Sequence, residues 1–468
     1  MTALPARPSA PPHRDPPPLF TGGLRPQGTI LLSELLGALS YALDLTEGQP
    51  PGHCMRACWI GVHLGRQIGL DEAALSDLYY AILLKDLGCS SNAARICELY
   101  LTDDRTFKSD YKRVGDSLPE ALRFVLSHTG LKANLAERFR AVLHIVQNGG
   151  TIARELIETR CQRGAAIAQQ MRFSTHVQAG ILDLDEHWDG GGKPARLQGT
   201  DISLFARIAL LAQVIDVFHL NGGPAAALAE IRHRSGTWFD PSLVEAAEAV
   251  FRDADFRAML AGPSIEAAVL ALAPARRAEP VDADDLDDIA IAFAQVIDAK
   301  SPYTHGHSDR VALFTDLIAG EMGVAGEERR WLKRAALLHD IGKLGVSNQV
   351  LDKPGKLDEA EWVEMRAHAA MSETILSRIA AFGGLAQVAG AHHERLDGKG
   401  YPRGRTARSI PMEARIIATA DVFDALTADR PYRGPMSADK AFSIMDADAG
   451  SALDPACIAA LKRALAPA

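Results

Sequence analysis

Leu337-Leu338-His339-Asp340-Ile341-Gly342-Lys343 sets an imidazole beside a carboxylate at the end of an apolar run, and the chain carries a close copy of it, Leu83-Leu84-Lys85-Asp86-Leu87-Gly88. The copy extends outward from this point. Gly306-His307-Ser308-Asp309-Arg310 is matched by Gly52-His53-Cys54-Met55-Arg56, and His307 precedes His339 by 32 residues, as His53 precedes Lys85. Asp397-Gly398-Lys399-Gly400-Tyr401-Pro402 is matched by Asp189-Gly190-Gly191-Gly192-Lys193-Pro194, with 27 residues from Asp397 to Asp424 and from Asp189 to Asp216. Equal offsets at two independent places identify an internal repeat.

Each copy has helical periodicity. Leu32, Leu35, Leu36 and Leu39, then Ile60, Leu64 and Ile68, then Leu78, Tyr79, Ile82 and Leu83 recur at the spacing of one helix face. Strand-like alternation bounded by hairpin turns is nearly absent. The pattern predicts an all-α protein of two tandem helical bundles, and 468 residues are too many for one ordinary core. Residues 1–28 hold eight prolines and few large apolar side chains, which predicts a disordered arm. The first bundle is expected over 29–272, a polar proline-bearing linker over 273–284, and the second bundle over 285–468.

Charge narrows the partners. A net charge of -9 without a Lys/Arg block leaves no electrostatic footprint for nucleic acid or an anionic membrane. No basic segment followed by an apolar one opens the chain, and the longest apolar candidate, 205–220, is interrupted by Arg207, Gln213 and Asp216. A cytoplasmic protein without a membrane span is expected, its six cysteines free because no C-x-x-C pair is present.

The chemistry is concentrated in the second copy. His307, His339, Asp340, His368, His392, His393 and Asp421 supply five imidazoles and two carboxylates, a donor set for two divalent transition metals. With His339 and Asp340 on a helix, Asp340 is the expected bridge, since a carboxylate has two oxygens to share. His307, His339 and Asp421 then go to one ion, and His368, His392 and His393 to the other. Two divalent ions outweigh two carboxylates, so the site should attract a phosphodiester. Lys343, three residues after Asp340 and near the same helix face, is expected to hold a phosphate oxygen. Asp424 is expected to orient a ligand or accept from substrate. Arg430 and Arg433 carry guanidiniums suited to phosphate or guanine.

In the first copy the ligands are gone. Lys85 stands at the position of His339, Arg160 at His368, Leu184 and Asp185 at His392 and His393, and Gln213 at Asp421; only His53 and Asp86 remain. An ammonium beside Asp86 can take the space and charge of a metal, so this copy should fold without metal and without chemistry. Asp86 to Arg160 spans 74 residues against 28 from Asp340 to His368, so it also holds an insertion.

Ser301-Pro302-Tyr303-Thr304 with Gly306-His307-Ser308, His339-Asp340-Ile341-Gly342-Lys343, His392-His393-Glu394 running into the Tyr401-Pro402 loop, and Asp421-Val422-Phe423-Asp424 together resemble the HD-GYP domain over roughly residues 285–455. The resemblance implies a helical bundle with two or three metals that hydrolyses cyclic dinucleotides, chiefly cyclic di-GMP, to pGpG or GMP. It makes Tyr401 a substrate contact and the loop around it a surface for substrate or a signalling partner. Iron or manganese is favoured, with nickel, cobalt or zinc admitted by the donors. Three-metal members have a Glu four residues before the first His; Tyr303 stands there, which predicts two metals. A second class of function is a cyclic-dinucleotide receptor or scaffold with a structural metal site. The third alternative is a phosphohydrolase acting on another cyclic dinucleotide. Homodimerisation stays open.

Overall fold

The computed structural model describes residues 30–115, 117–273, 280–429 and 434–466. The arm expected at 1–28, and Arg430 and Arg433, lie outside the described residues. The fold is all-α, as the periodicity predicts, and the described residues contain isolated β-bridges but no strand.

The two copies repeat one helix order. In the first, Leu32–Thr46, His53–Gln67 and Glu72–Leu83 lead into the insertion, and Thr175–Leu182, Leu204–His233 and Pro241–Val250 follow it. In the second, Ala283–Asp298, His307–Glu321 and Gly326–Leu338 lead into Glu359–Leu376, Gly383–Ala391, Met412–Thr427, Ala438–Ala447 and Pro455–Ala464. Local chemistry sets the ends: Asp71 accepts from Ala74 N, and Asp358 forms a capping box with Glu361. The second copy's first helix starts at Ala283, capped by Asp282, inside the expected linker. Just before it, Val281 N donates to Ile30 O at 2.9 Å, so the linker's end packs on the first copy.

The Leu204–His233 helix is long and apolar enough to cross a membrane. It packs instead against His53–Gln67 with Gln213 and Asp216 buried, and breaks at Gly223 (φ 74°), where Pro224 starts a new helical segment. It is the central helix of the first copy.

Two glycines per copy fix how the repeats superpose. A Cβ on Gly88 would lie 1.8 Å from Arg160 O, and one on Gly342 would lie 2.0 Å from His368 O. A Cβ on Gly192 would lie 2.5 Å from Glu186 Cα, and one on Gly400 would lie 2.5 Å from Glu394 Cα. Only hydrogen fits at these approaches. They place Arg160 at the position of His368, and Asp185, one residue before Glu186, at that of His393.

The insertion comprises Ala93–Tyr100, Asp104–Tyr111, Leu118–His128 and the first half of the 36-residue Leu135–Gln170 helix. It has its own small apolar cluster, including Tyr100, Phe107, Phe124 and Ile145. The main core runs without interruption through both copies, from Leu35 and Tyr79 to Phe293 and Ile417. Between the copies Lys300, 1 % exposed, ion-pairs with the fully buried Asp104 at 3.2 Å, and Asp104 also accepts from Asn348 N at 3.0 Å.

Candidate metal centre

The Gly326–Leu338 helix ends just before His339, and Ile341–Gly345 continues as a 3-10 turn. His339 and Asp340 therefore sit at a helix terminus, correcting the expectation of a His-Asp pair on a helix. The 3-10 turn still brings Lys343 over Asp340, because residues three apart eclipse when there are three per turn. The Lys343 ammonium rests on Asp340 Oδ2.

The other donors come from four separate helices. His307 opens His307–Glu321, His368 lies in Glu359–Leu376, His392 and His393 follow Gly383–Ala391, and Asp421 lies in Met412–Thr427. All seven expected ligands meet. Asp340, His368, His392 and His393 can each offer an atom within 4.8 Å of the others, as can His307, His339 and Asp421. Asp340 lies between the two sets. Its Oδ2 is 3.3 Å from His307 Nε2 and 3.2 Å from His339 Nε2, while its Oδ1 is 3.3 Å from His368 Nε2 and 3.6 Å from His392 Nε2. Each carboxylate oxygen thus faces one half of the centre, the arrangement a bridging ligand needs.

Hydrogen bonds fix which nitrogen turns inward. His339, His368 and His392 place Nδ1 against the carbonyl three residues back, on Ala336, Met365 and Ala389. A carbonyl only accepts, so Nδ1 carries the proton and Nε2 keeps its lone pair. His307 places Nδ1 on Asp424 Oδ2 at 2.7 Å, and Arg310 Nε donates to Asp424 Oδ1 at 2.5 Å. Both oxygens of Asp424 are thereby engaged in holding His307. The Nε2 atoms of His307 and His339 and Oδ1 of Asp340 are buried without a hydrogen-bond partner. Such orphans are costly in a protein interior, and inward-facing donor atoms of this kind fit divalent metal.

Electrostatics divides the imidazoles. Burial lowers His368 to about 4 and His392 to about 3, so both are neutral donors at pH 7. Burial would also lower His307, but Asp340 and Asp424 push it up to about 9. Asp340 would be raised by burial and is instead held well below the usual carboxylate range by His339, Lys343 and His307.

Tyr401 forms one edge of the centre, its ring 4.8 Å from that of His393. The loop that carries it is wrapped around Glu394, whose two oxygens accept from Arg403 N at 2.7 Å and Arg405 N at 2.8 Å. Sequence reasoning passed over Arg310, Asp298, Glu394 and Arg366. Asp298 accepts from Ser308 Oγ at 2.7 Å and secures the start of the His307 helix, and the Arg366 guanidinium lies 5.7 Å from the Tyr401 ring centroid. The signal for Arg310 was in the repeat, since Arg56 holds the corresponding place. Tyr303 is 38 % exposed and brings no carboxylate.

In the first copy the frame survives and its contents differ. His53 Nδ1 lies 2.7 Å from Asp216 Oδ2, and Arg56 Nε lies 2.6 Å from Asp216 Oδ1. The Lys85 ammonium pairs with Asp86, and Arg160 with Asp185. Glu47, Asp86 and Cys89 lie close enough to share an ion, but Lys85 already pairs with Asp86, Lys108 and Lys112 with Glu47, and burial pushes the Cys89 thiol well above its ordinary range. Burial would raise Glu47, yet Lys112 and Lys108 hold it at about 2.

The family described as HD domain matches residues 140–243 and 292–457. A 3'3'-cGAMP-specific phosphodiesterase of Vibrio cholerae is 55 % identical over 94 % of this chain and 95 % of its own length. A crystal structure of a cyclic GMP-AMP-specific phosphodiesterase from V. cholerae, 48 % identical, covers 94 % of this chain and 99 % of that one with a TM-score of 0.66. A cyclic di-GMP phosphodiesterase response regulator of Xanthomonas campestris is 41 % identical over 36 % of this chain and 46 % of its own length.

Proposed function

This chain belongs to the HD domain family as an HD-GYP phosphohydrolase, and from that premise we propose that it hydrolyses 3'3'-cGAMP at the metal centre of its second copy. The observation that carries this reading is the near full-length relationship to a 3'3'-cGAMP-specific enzyme, supported by seven candidate ligand side chains that meet closely enough to hold metal. Cyclic di-GMP, the substrate expected from sequence, becomes the second reading. It is supported by a relative that matches only 36 % of the chain.

His307, His339 and Asp421 would hold one ion, His368, His392 and His393 the other, and Asp340 both. When bound, two such ions supply Lewis acidity toward the phosphoryl group and lower the pKa of an attacking water. The protein's own part is positional. Asp424 fixes the ring plane of His307, and backbone carbonyls fix three more imidazoles, so the rings already aim Nε2 inward and need no reorientation on metal uptake. The Lys343 ammonium, resting on Asp340, would take a non-bridging phosphate oxygen. Tyr401 and Arg366 present a ring and a guanidinium at the edge of the site, where a base can stack.

The test is hydrolysis by protein reconstituted with manganese(II) or iron(II), comparing 3'3'-cGAMP with cyclic di-GMP and following linear products. Turnover of 3'3'-cGAMP at least about tenfold above cyclic di-GMP in kcat/KM, a transition-state difference of roughly 1.4 kcal/mol, is the expected result. Preference for cyclic di-GMP would replace the substrate, and binding of either without turnover would favour a receptor.

A further inference from the structure

The first copy's former active site has not closed up. A cavity of about 300 Å³ occupies it, lined by Arg160, Asp185, Gln213 and Lys193, which hold the positions of His368, His393, Asp421 and Tyr401. The insertion supplies the opposite wall. Lys108 and Lys112 enter from the end of the Asp104–Tyr111 helix, and Tyr100, Phe107 and Tyr111 from the same hairpin, with the Tyr100 and Phe107 rings 4.2 Å apart.

Charge and shape identify an occupant. Four lysine or arginine side chains line the cavity against two carboxylates, Glu47 and Asp185. Arg160 is neutralised by Asp185, Lys108 and Lys112 share Glu47, and Lys108 also lies 3.9 Å from Asp104, which Lys300 already pairs, so positive charge remains in excess. Lys112 Nζ, 3.0 Å from Glu47 Oε2, is buried and makes no well-directed hydrogen bond. A cationic excess lining a cavity attracts phosphate, and aromatic walls accept a flat ring. The volume is at the lower end of the about 300–1,000 Å³ typical of ligand pockets, which suits one nucleotide rather than two.

We propose that the first copy's emptied site binds a nucleoside monophosphate and thereby regulates the second copy. The Asp104–Tyr111 helix is the link. Phe107, Lys108 and Tyr111 face the cavity, while Asp104 is buried on Lys300 and Asn348. Arg105 bonds Gly345 O, two residues beyond Lys343, and lies 3.0 Å from Glu364.

The probes are GMP and AMP, with ribose 5-phosphate and inorganic phosphate as ringless controls, titrated calorimetrically into the full chain carrying His339→Ala and Asp340→Ala. One mononucleotide per chain should bind, at least about tenfold tighter than either control. Lys112→Met should remove binding, and so should Ala153→Phe, which fills the cavity from the long helix without burying an unpaired charge. In metal-loaded protein with His339 and Asp340 intact, the same mononucleotide should change substrate KM or kcat by about fivefold or more, within the range of allosteric coupling. That effect should vanish in Ala153→Phe, whereas product inhibition at the metal centre would persist. Absence of binding, binding that survives both substitutions, controls that bind equally well, or binding without kinetic effect would each overturn the proposal.

Discussion

His53 and His307 stand in the same frame with different surroundings. Each places Nδ1 2.7 Å from a buried aspartate, Asp216 or Asp424, and each aspartate is held from its other side by an arginine, Arg56 or Arg310. On its inner side His307 faces Asp340 and Asp421, while His53 faces a carboxylate already paired with Lys85. The frame therefore does not depend on the ligands it was built to carry. A buried carboxylate needs a compensating positive charge, and an ammonium on the neighbouring residue meets that need as a metal would.

The largest expected contrast is catalytic. Replacing His339 and Asp340 by alanine should lower metal-dependent turnover by at least about a thousandfold, because a metal centre supplies several kcal/mol at roughly 1.4 kcal/mol per decade. Product chromatography and metal analysis on the same samples read it, and a smaller loss would break the assignment of chemistry to the second copy alone. Next in size is Lys85→Met in the first copy. It leaves Asp86 buried without its partner, a cost of roughly 3–5 kcal/mol that thermal denaturation should report as a lower Tm while metal content per folded chain is unchanged. A variant as stable as the parent would mean that Lys85 does not stand in for a metal.

Asp424→Asn and Asp216→Asn form a matched pair that sharpens the comparison. The first should weaken metal binding by roughly 10–100-fold, since His307 loses the carboxylate that fixes its ring. The second should leave metal affinity alone and lower stability only. Equal effects on metal affinity would imply that the first copy contributes to the metal centre.

The smallest effect is a proton. In the metal-free protein His307, raised to about 9, is protonated at pH 7, whereas His368 and His392, lowered to about 4 and 3, are not. Metal must displace that proton, so loading at pH 7 should release about one proton per chain from His307, falling toward none above about pH 9. The sign reverses for stability. The raised His307 stabilises the metal-free fold below about pH 6.5 and loses this as pH rises toward 9. The lowered His368 and His392 destabilise it as pH falls from about 6.5 toward 4, because the unfolded chain takes up protons that the folded chain refuses. Indicator-dye titration of manganese addition reads the first statement, and pH-dependent denaturation reads the second.

Much of this was legible in the sequence because the repeat provided its own control. The seven candidate ligands scattered from His307 to Asp421 could be collected because five imidazoles and two carboxylates make one donor set for divalent metal and fall in the order of the HD-GYP motifs. The all-α class followed from spacing alone. The 3-10 turn at Ile341–Gly345 was not visible, because helix and 3-10 turn share an apolar pattern over so few residues. Arg310 was visible only as the repeat partner of Arg56, since the aspartate it holds lies 114 residues away, and Glu394 was not visible as a site residue, because its work is hydrogen bonding to loop amides. The cavity was beyond reach as well: Tyr100, Phe107 and Lys112 belong to an insertion with no counterpart in the second copy, so no comparison within the sequence could place them.

The uninterrupted core and the buried Lys300–Asp104 pair bear on how such a gene can evolve. Deleting the first copy would strip one wall from the second and leave an ammonium stranded in apolar surroundings, so each shortened descendant would be penalised in folding before its chemistry was ever tested. A duplicate in that position cannot easily be lost, even after its ligands are gone. Mutation is then free to rework its interior, and the lineage carries an idle chamber that selection can furnish for another purpose.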